Sequence, residues 1–231
     1  LDLGLYFNAF DEFVKRINPN SDNKGIYKHI KPGPILEKEG RIENVLTPGQ
    51  MIIVQIVKEP ISTKGSRLTA EISLAGRNIV LLPFAEKVSV SQKISSKEEK
   101  RRLETLVRSI LPKNYGAIIR TAAEGKNAAV LDAEVMSLIE KWENSWKKLA
   151  KSKDVQLLFT EYSKTTTILR DLLNDSFTNI YVNDENIYEE TRKYISLISP
   201  EQEKIVKLYK DKTPIFDHFE VTRQIKSSFG K

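Results

Sequence analysis

The spacing of the apolar residues changes once along this chain, near Ser96, and that change limits the folds open to it. Upstream, short runs carry strand signals. Residues 51–57 (Met-Ile-Ile-Val-Gln-Ile-Val) are nearly all apolar and follow the turn residues Thr47-Pro48-Gly49. Residues 67–73 alternate, with Leu68, Ala70 and Ile72 on one face, and residues 60–65 supply a turn before them. A third run, 78–82, ends at Pro83. Downstream, Ser96-Lys97-Glu98-Glu99 is a capping box, and Leu103, Leu106, Val107 and Ile110 follow at helical spacing. Ala117-Ile118-Ile119 reads as a short buried strand running into Arg120-Thr121. A long helix is expected next, with Leu131, Val135, Leu138, Trp142, Trp146 and Leu149 on one face. The rest alternates: strand 155–159, helix 165–174, strand 179–182, helix 185–198, strand 205–209 and a final helix over 219–229. Residues 1–20 suggest a short amphipathic helix, and residues 18–50 a long loop. A hairpin and a strand followed by alternating helix and strand predict an α+β protein.

Several chemistries are excluded at once. None of the 231 residues is a cysteine, so there is no disulfide, thiolate zinc site or cysteine nucleophile. The two histidines, His29 and His218, stand far apart and share no metal-ligand spacing. Beside Phe216 and Phe219, His218 reads as a packed or surface residue. Gly65, Gly76 and Gly125 are isolated and form no nucleotide-binding loop. No apolar run approaches the ~20 residues of a membrane span. The net charge of +6 favours a polyanionic partner. The start at Leu1, with no signal peptide, and the stop directly after a helical pattern are what a segment of a longer protein would show.

Two places suit anion binding. Arg120-Thr121 closes a strand and enters a loop, where a guanidinium fork and a hydroxyl can meet a phosphate. A surface ion pair is the other reading of Arg120. Lys64-Gly65-Ser66-Arg67 is a basic turn between strands, either a solvated hairpin tip or a contact to a nucleic-acid backbone. The acidic pairs, such as Glu98/Glu99 and Glu189/Glu190, have the spacing of solvated helix faces.

Taken together, these stretches resemble the ribonuclease E/G family of bacterial endoribonucleases. The resemblance is carried by Lys64-Gly65-Ser66-Arg67-Leu68-Thr69 and by Ile72-Ser73-Leu74-Ala75-Gly76-Arg77-Asn78-Ile79-Val80-Leu81-Leu82-Pro83. It continues in Ile118-Ile119-Arg120-Thr121-Ala122, Lys141-Trp142, Ile205-Val206-Lys207-Leu208-Tyr209 and Pro214-Ile215-Phe216. It implies a partial OB-type β-barrel over residues 1–73, an α/β 5′-sensor domain over 74–163 and a partial RNase H-like subdomain over 164–231. By the same resemblance Arg120 and Thr121 would bind an RNA 5′-monophosphate, Gly76 would supply a backbone donor, Val80 would pack on the terminal nucleotide, and Lys64 would touch the RNA backbone.

The family's catalytic aspartates, on a DNase I-like domain, match no position here, so no catalytic or metal-binding residue is assigned. Magnesium, and zinc between subunits, are implied for the full-length parent only. The implied partner is single-stranded RNA with a 5′-monophosphate, and the implied parent is cytoplasmic and homo-oligomeric. This segment would then bind RNA without cutting it. A structural or interaction module with no ligand of its own is the alternative, in which Arg120 would pair with an internal carboxylate.

Overall fold

The structure, a computed structural model, describes residues 40–149, 154–160 and 163–230. The helix expected over residues 1–20, the first part of the 18–50 loop, and His29 lie outside the described residues. The chain divides into two compact units, Leu1–Glu161 and Tyr162–Lys231.

In the first unit, β1 (Gln55–Lys58) and β2 (Arg67–Thr69) pair antiparallel, with a bulge between Ile56 and Lys58. Both strands are shorter than their apolar runs. The ladder stops where a side chain replaces the backbone. Gln55 accepts from the Ser73 N–H at 2.8 Å and donates to the Ser73 carbonyl at 3.1 Å. This two-stranded sheet is open, and among the described residues no barrel closes.

A four-stranded sheet follows, made of β3 (Leu74–Ala75), β4 (Ile79–Pro83), β5 (Val88–Val90) and β6 (Tyr115–Ile119) in the order β3-β4-β6-β5. Strand β6 runs antiparallel to β4 and parallel to β5. Burial alternates along β4, where Ile79, Leu81 and Pro83 point inward. The register sets Ala75, Val80, Ile118 and Ser89 in one row across the opposite, more open face, where Ile118 is 40% exposed.

Two helices line the inner face. Helix α1 (Lys97–Ile110) starts as its capping box predicts, with Ser96 Oγ accepting the Glu99 N–H at 3.1 Å. Helix α2 (Ala128–Leu149) is capped by Asn127, whose Oδ1 accepts the Val130 N–H at 3.0 Å. Leu103 and Val107 of α1 join Leu131, Val135, Leu138 and Trp142 of α2 in one core with the strands. Trp142 meets Phe84 and Phe159 edge-on, at centroid distances of 6.1 and 6.3 Å. The side chains of Trp146 and Leu149, expected on the same stripe, lie outside the described residues.

Residues 155–159 are not a strand: among the described residues no neighbouring strand offers them a ladder, and Val155 and Leu157 are 90% and 69% exposed. Phe159 turns inward, under Lys141 as well as against Trp142.

The second unit comprises α3 (Lys164–Leu172), β7 (Ile180–Val182), α4 (Glu185–Ile198), a 3-10 turn (Pro200–Ile205), β8 (Val206–Leu208), α5 (Ile215–His218) and α6 (Val221–Phe229). Ser163 and Asp184 cap α3 and α4. Strands β7 and β8 pair in parallel, with Ile180 opposite Val206. Leu169, Leu173, Tyr194, Ile195 and Val206 form the core. The final helix, expected over 219–229, is α6, and the short helix α5, which was not expected, precedes it across Glu220, which adopts φ +56°. His218 packs edge-on against Tyr209 and Phe219, at 5.4 and 4.6 Å between ring centroids.

Candidate functional site

Strand β6 ends beside the turn that joins β3 to β4, and this pairing builds the site. The ladder continues one rung past the strand, with the Arg120 N–H donating to the Asn78 carbonyl at 2.8 Å. The Arg120 side chain lies across the same turn, and its Nη1 donates to the Gly76 carbonyl at 2.9 Å. Thr121 opens a 3-10 turn, Thr121–Ala123, and is exposed. Val80 is half-buried on the open face, in register with Ile118. A guanidinium, a hydroxyl and a small apolar surface at one sheet end make a set suited to binding an anion attached to an apolar group.

Of the predicted residues, Gly76, Val80, Arg120 and Thr121 gather at this end of the four-stranded sheet. Lys64 belongs to the other sheet. It closes the tip of the β1–β2 hairpin, exchanging backbone hydrogen bonds with Ile61 at 3.0 and 3.1 Å, and it is exposed. Gly76 differs from expectation in one respect. Its N–H donates to the Ile79 carbonyl at 2.8 Å, so the turn itself uses the donor that was expected to face a phosphate.

Glu134 was not anticipated. From α2 its carboxylate accepts the Arg77 N–H at 2.5 Å and the Asn78 N–H at 3.1 Å to each oxygen. Burial raises its pKa, against the opposing pull of these amides and of the Arg120 charge. The carboxylate also explains why position 76 is glycine. A Cβ there would lie 2.5 Å from Glu134 Oε1 and 2.7 Å from the Ile79 carbonyl oxygen. One signal was present in the sequence. Glu134 falls three residues after Leu131 and four before Leu138, on the apolar stripe, where a carboxylate needs dedicated donors.

The loop after Arg120 is held from α1. Glu99 pairs with Arg102 through two 2.7 Å hydrogen bonds and accepts the Gly125 N–H at 2.9 Å. Arg102 also donates to the Lys126 carbonyl at 3.0 Å. The bonds from Arg102 and then Gly125 pull the Glu99 carboxyl down from 4.5 to about 2. Among the described residues, no three His, Asp or Glu side chains cluster so as to hold a metal ion. No helix there is long and apolar enough to cross a membrane.

Residues 73–231 match the model of the ribonuclease E/G family. This chain belongs to the ribonuclease E/G family. It is 34% identical to Ribonuclease G of Escherichia coli (strain K12) over 190 residues, 82% of this chain and 39% of that protein. It is 32% identical to a Ribonuclease E/G-like protein of Pyropia yezoensis over 232 residues, 96% of this chain and 46% of the relative. Ribonuclease E of Nostoc sp. (strain PCC 7120 / SAG 25.82 / UTEX 2576) is 30% identical over 218 residues, 92% of this chain and 32% of its own length. The chain thus spans less than half the length of these curated relatives. Gly76, Val80, Arg120, Thr121 and Glu134 fall inside the segment that matches the ribonuclease E/G model, whereas Lys64 precedes it.

Proposed function

We propose that this chain is the RNA-binding and 5′-monophosphate-sensing part of a single-strand-specific endoribonuclease of RNA processing and decay, and that it binds RNA without cutting it. The observation that carries this reading is the placement of Arg120, held over the Gly76 turn with Thr121 beside it and the Val80–Ile118 surface on the open face. A terminal phosphate would meet the guanidinium and the Thr121 hydroxyl, and the nucleoside behind it would lie on Val80. On this reading residues 74–163 are the sensor, residues 1–73 belong to an OB-type domain and residues 164–231 to an RNase H-like part. The full-length enzyme, cytoplasmic and homo-oligomeric, would supply magnesium-dependent cleavage and a zinc link between subunits.

The test is a pair of single-stranded oligoribonucleotides that differ only in a 5′-monophosphate or a 5′-hydroxyl. The phosphorylated one binds more tightly to the wild type, Arg120→Ala abolishes the difference, and both affinities fall with salt. Equal affinities for the wild type would end the sensor reading.

A second reading, that of a structural or interaction module, draws on one observation: the half-buried Glu134 carboxylate binds the amides of the same turn whose Gly76 carbonyl accepts from Arg120. There Arg120 serves the fold alone. Phosphate-dependent shifts of the Arg120 and Thr121 resonances would exclude it.

A further inference from the structure

The Gly76–Arg77 peptide group lies between two charges. Its N–H donates to the Glu134 carboxylate, and its carbonyl accepts from Arg120 Nη1 at 2.9 Å. In a trans peptide these two groups point in opposite directions and move as one rigid plane. Asn78 braces the same turn through two separate peptide groups. The Asn78 N–H bonds both oxygens of Glu134, and the Asn78 carbonyl accepts the Arg120 N–H at 2.8 Å. In the Gly76–Arg77 peptide the amide faces the helix and the carbonyl faces the arginine side chain. A carboxylate that fixes the N–H side therefore fixes where the carbonyl side presents its oxygen, and it polarises that peptide as an acceptor. Gly76 completes the device, since a Cβ there would drive Oε1 of Glu134 away from the turn.

With Arg120 taken as the phosphate ligand of the reading above, we infer that Glu134 is its positioning residue. Through the Gly76–Arg77–Asn78 turn it sets the guanidinium and so determines selectivity for a 5′-phosphorylated RNA end. The sign of the effect is diagnostic. If Glu134 acted only as a nearby negative charge, its neutralisation would tighten binding of an anion. A positioning role requires the opposite, a loss of preference for the phosphorylated end.

The experiment measures binding of the 5′-phosphate and 5′-hydroxyl oligoribonucleotides to the wild type, Glu134→Gln, Glu134→Asp and Arg120→Ala, with melting temperature as the check on folding. Glu134→Asp keeps the charge and withdraws the carboxylate by one methylene, so it separates position from charge and serves if the glutamine variant does not fold. The expected result is a preference reduced roughly tenfold in both Glu134 variants, with affinity for the 5′-hydroxyl RNA within about twofold of wild type. A preference that is retained or increased in the Glu134 variants, while Arg120→Ala still abolishes it, overturns the role of Glu134 and leaves the phosphate reading standing. A wild type with no preference overturns the phosphate reading, and the role of Glu134 with it.

Discussion

Arg120 and Lys64 both stand where the chain leaves or enters a strand, yet the structure holds them differently. Arg120 is fixed by partners far away in the chain: its side chain bonds Gly76, 44 residues upstream, and its N–H bonds Asn78. Lys64 is shaped by Ile61 in the same tight turn, and its side chain extends from an exposed tip. A planar guanidinium ordered during folding loses little further freedom on meeting an anion and presents a fixed fork. An ammonium on an exposed turn remains a mobile point charge. The difference teaches that a cation fixed across a turn and one on an exposed tip suit unlike tasks: on the function proposed above, Arg120 would discriminate an RNA end and Lys64 would add unspecific attraction.

The strongest way to break this contrast is to remove the support under the Arg120 end. Trp142 is fully buried between Phe84 and Phe159 on the helix that carries Glu134. Trp142→Ala should cost the first unit about 3–5 kcal/mol, read by chemical denaturation. A loss below about 1 kcal/mol would mean that α2 does not hold the sheet. Gly76→Ala comes next. Its Cβ would enter the space of Glu134 Oε1 and the Ile79 carbonyl, and overpacking of this kind costs about 1–3 kcal/mol. It should also abolish any preference for a 5′-phosphate, which the paired oligoribonucleotides would show.

Acid sharpens the contrast from another side. The Glu99 carboxyl is pulled from 4.5 to about 2 by Arg102 and the Gly125 amide. Its contribution to stability is present above the unfolded value of 4.5 and is lost as pH falls through about 2. Protection of the Gly125 amide against hydrogen exchange should therefore decline across that window in the wild type. In Glu99→Gln it should already be weak at neutral pH, and a profile identical in the two proteins would count against the anchor. The smallest effect belongs to Lys64→Ala. Binding of both oligoribonucleotides should weaken about twofold, with a salt dependence shallower by roughly one phosphate contact and no change in preference.

What was legible in the sequence was local. Ser96 and Glu99 lie within one helical turn, so the capping box announced α1 to the residue. The stripe through Leu131, Val135, Leu138 and Trp142 announced α2 and its buried face. Family resemblance placed Arg120, Thr121, Gly76 and Val80 together, and the register of β4 against β6 supplies the physical means. What stayed hidden was long-range or short. The donors to Glu134 come from residues 56 and 57 positions upstream, which no periodicity connects. Strand β3 has two residues and β5 three, too few to show alternation. Residues 155–159 carry strand-forming side chains, but a strand also needs a partner, and among the described residues none lies alongside. In the second unit α5 is a single turn of four residues before Glu220, too short to show a helical stripe.

Strand β6 enters the sheet between β4 and β5, both of which precede it in the chain. This order bears on synthesis. As the chain leaves the ribosome, β4 and β5 emerge with the place between them unfilled, and helix α1 must emerge before β6 can close the sheet. The Arg120 end is complete only after Glu134 has followed. Loop closure across such separations is slow relative to helix formation, so this end matures late. A short peptide bearing Ile119-Arg120-Thr121-Ala122 would therefore not reproduce it. A transplanted piece would need at least the stretch from Ile72 through α2 to Phe159, which closes over Trp142.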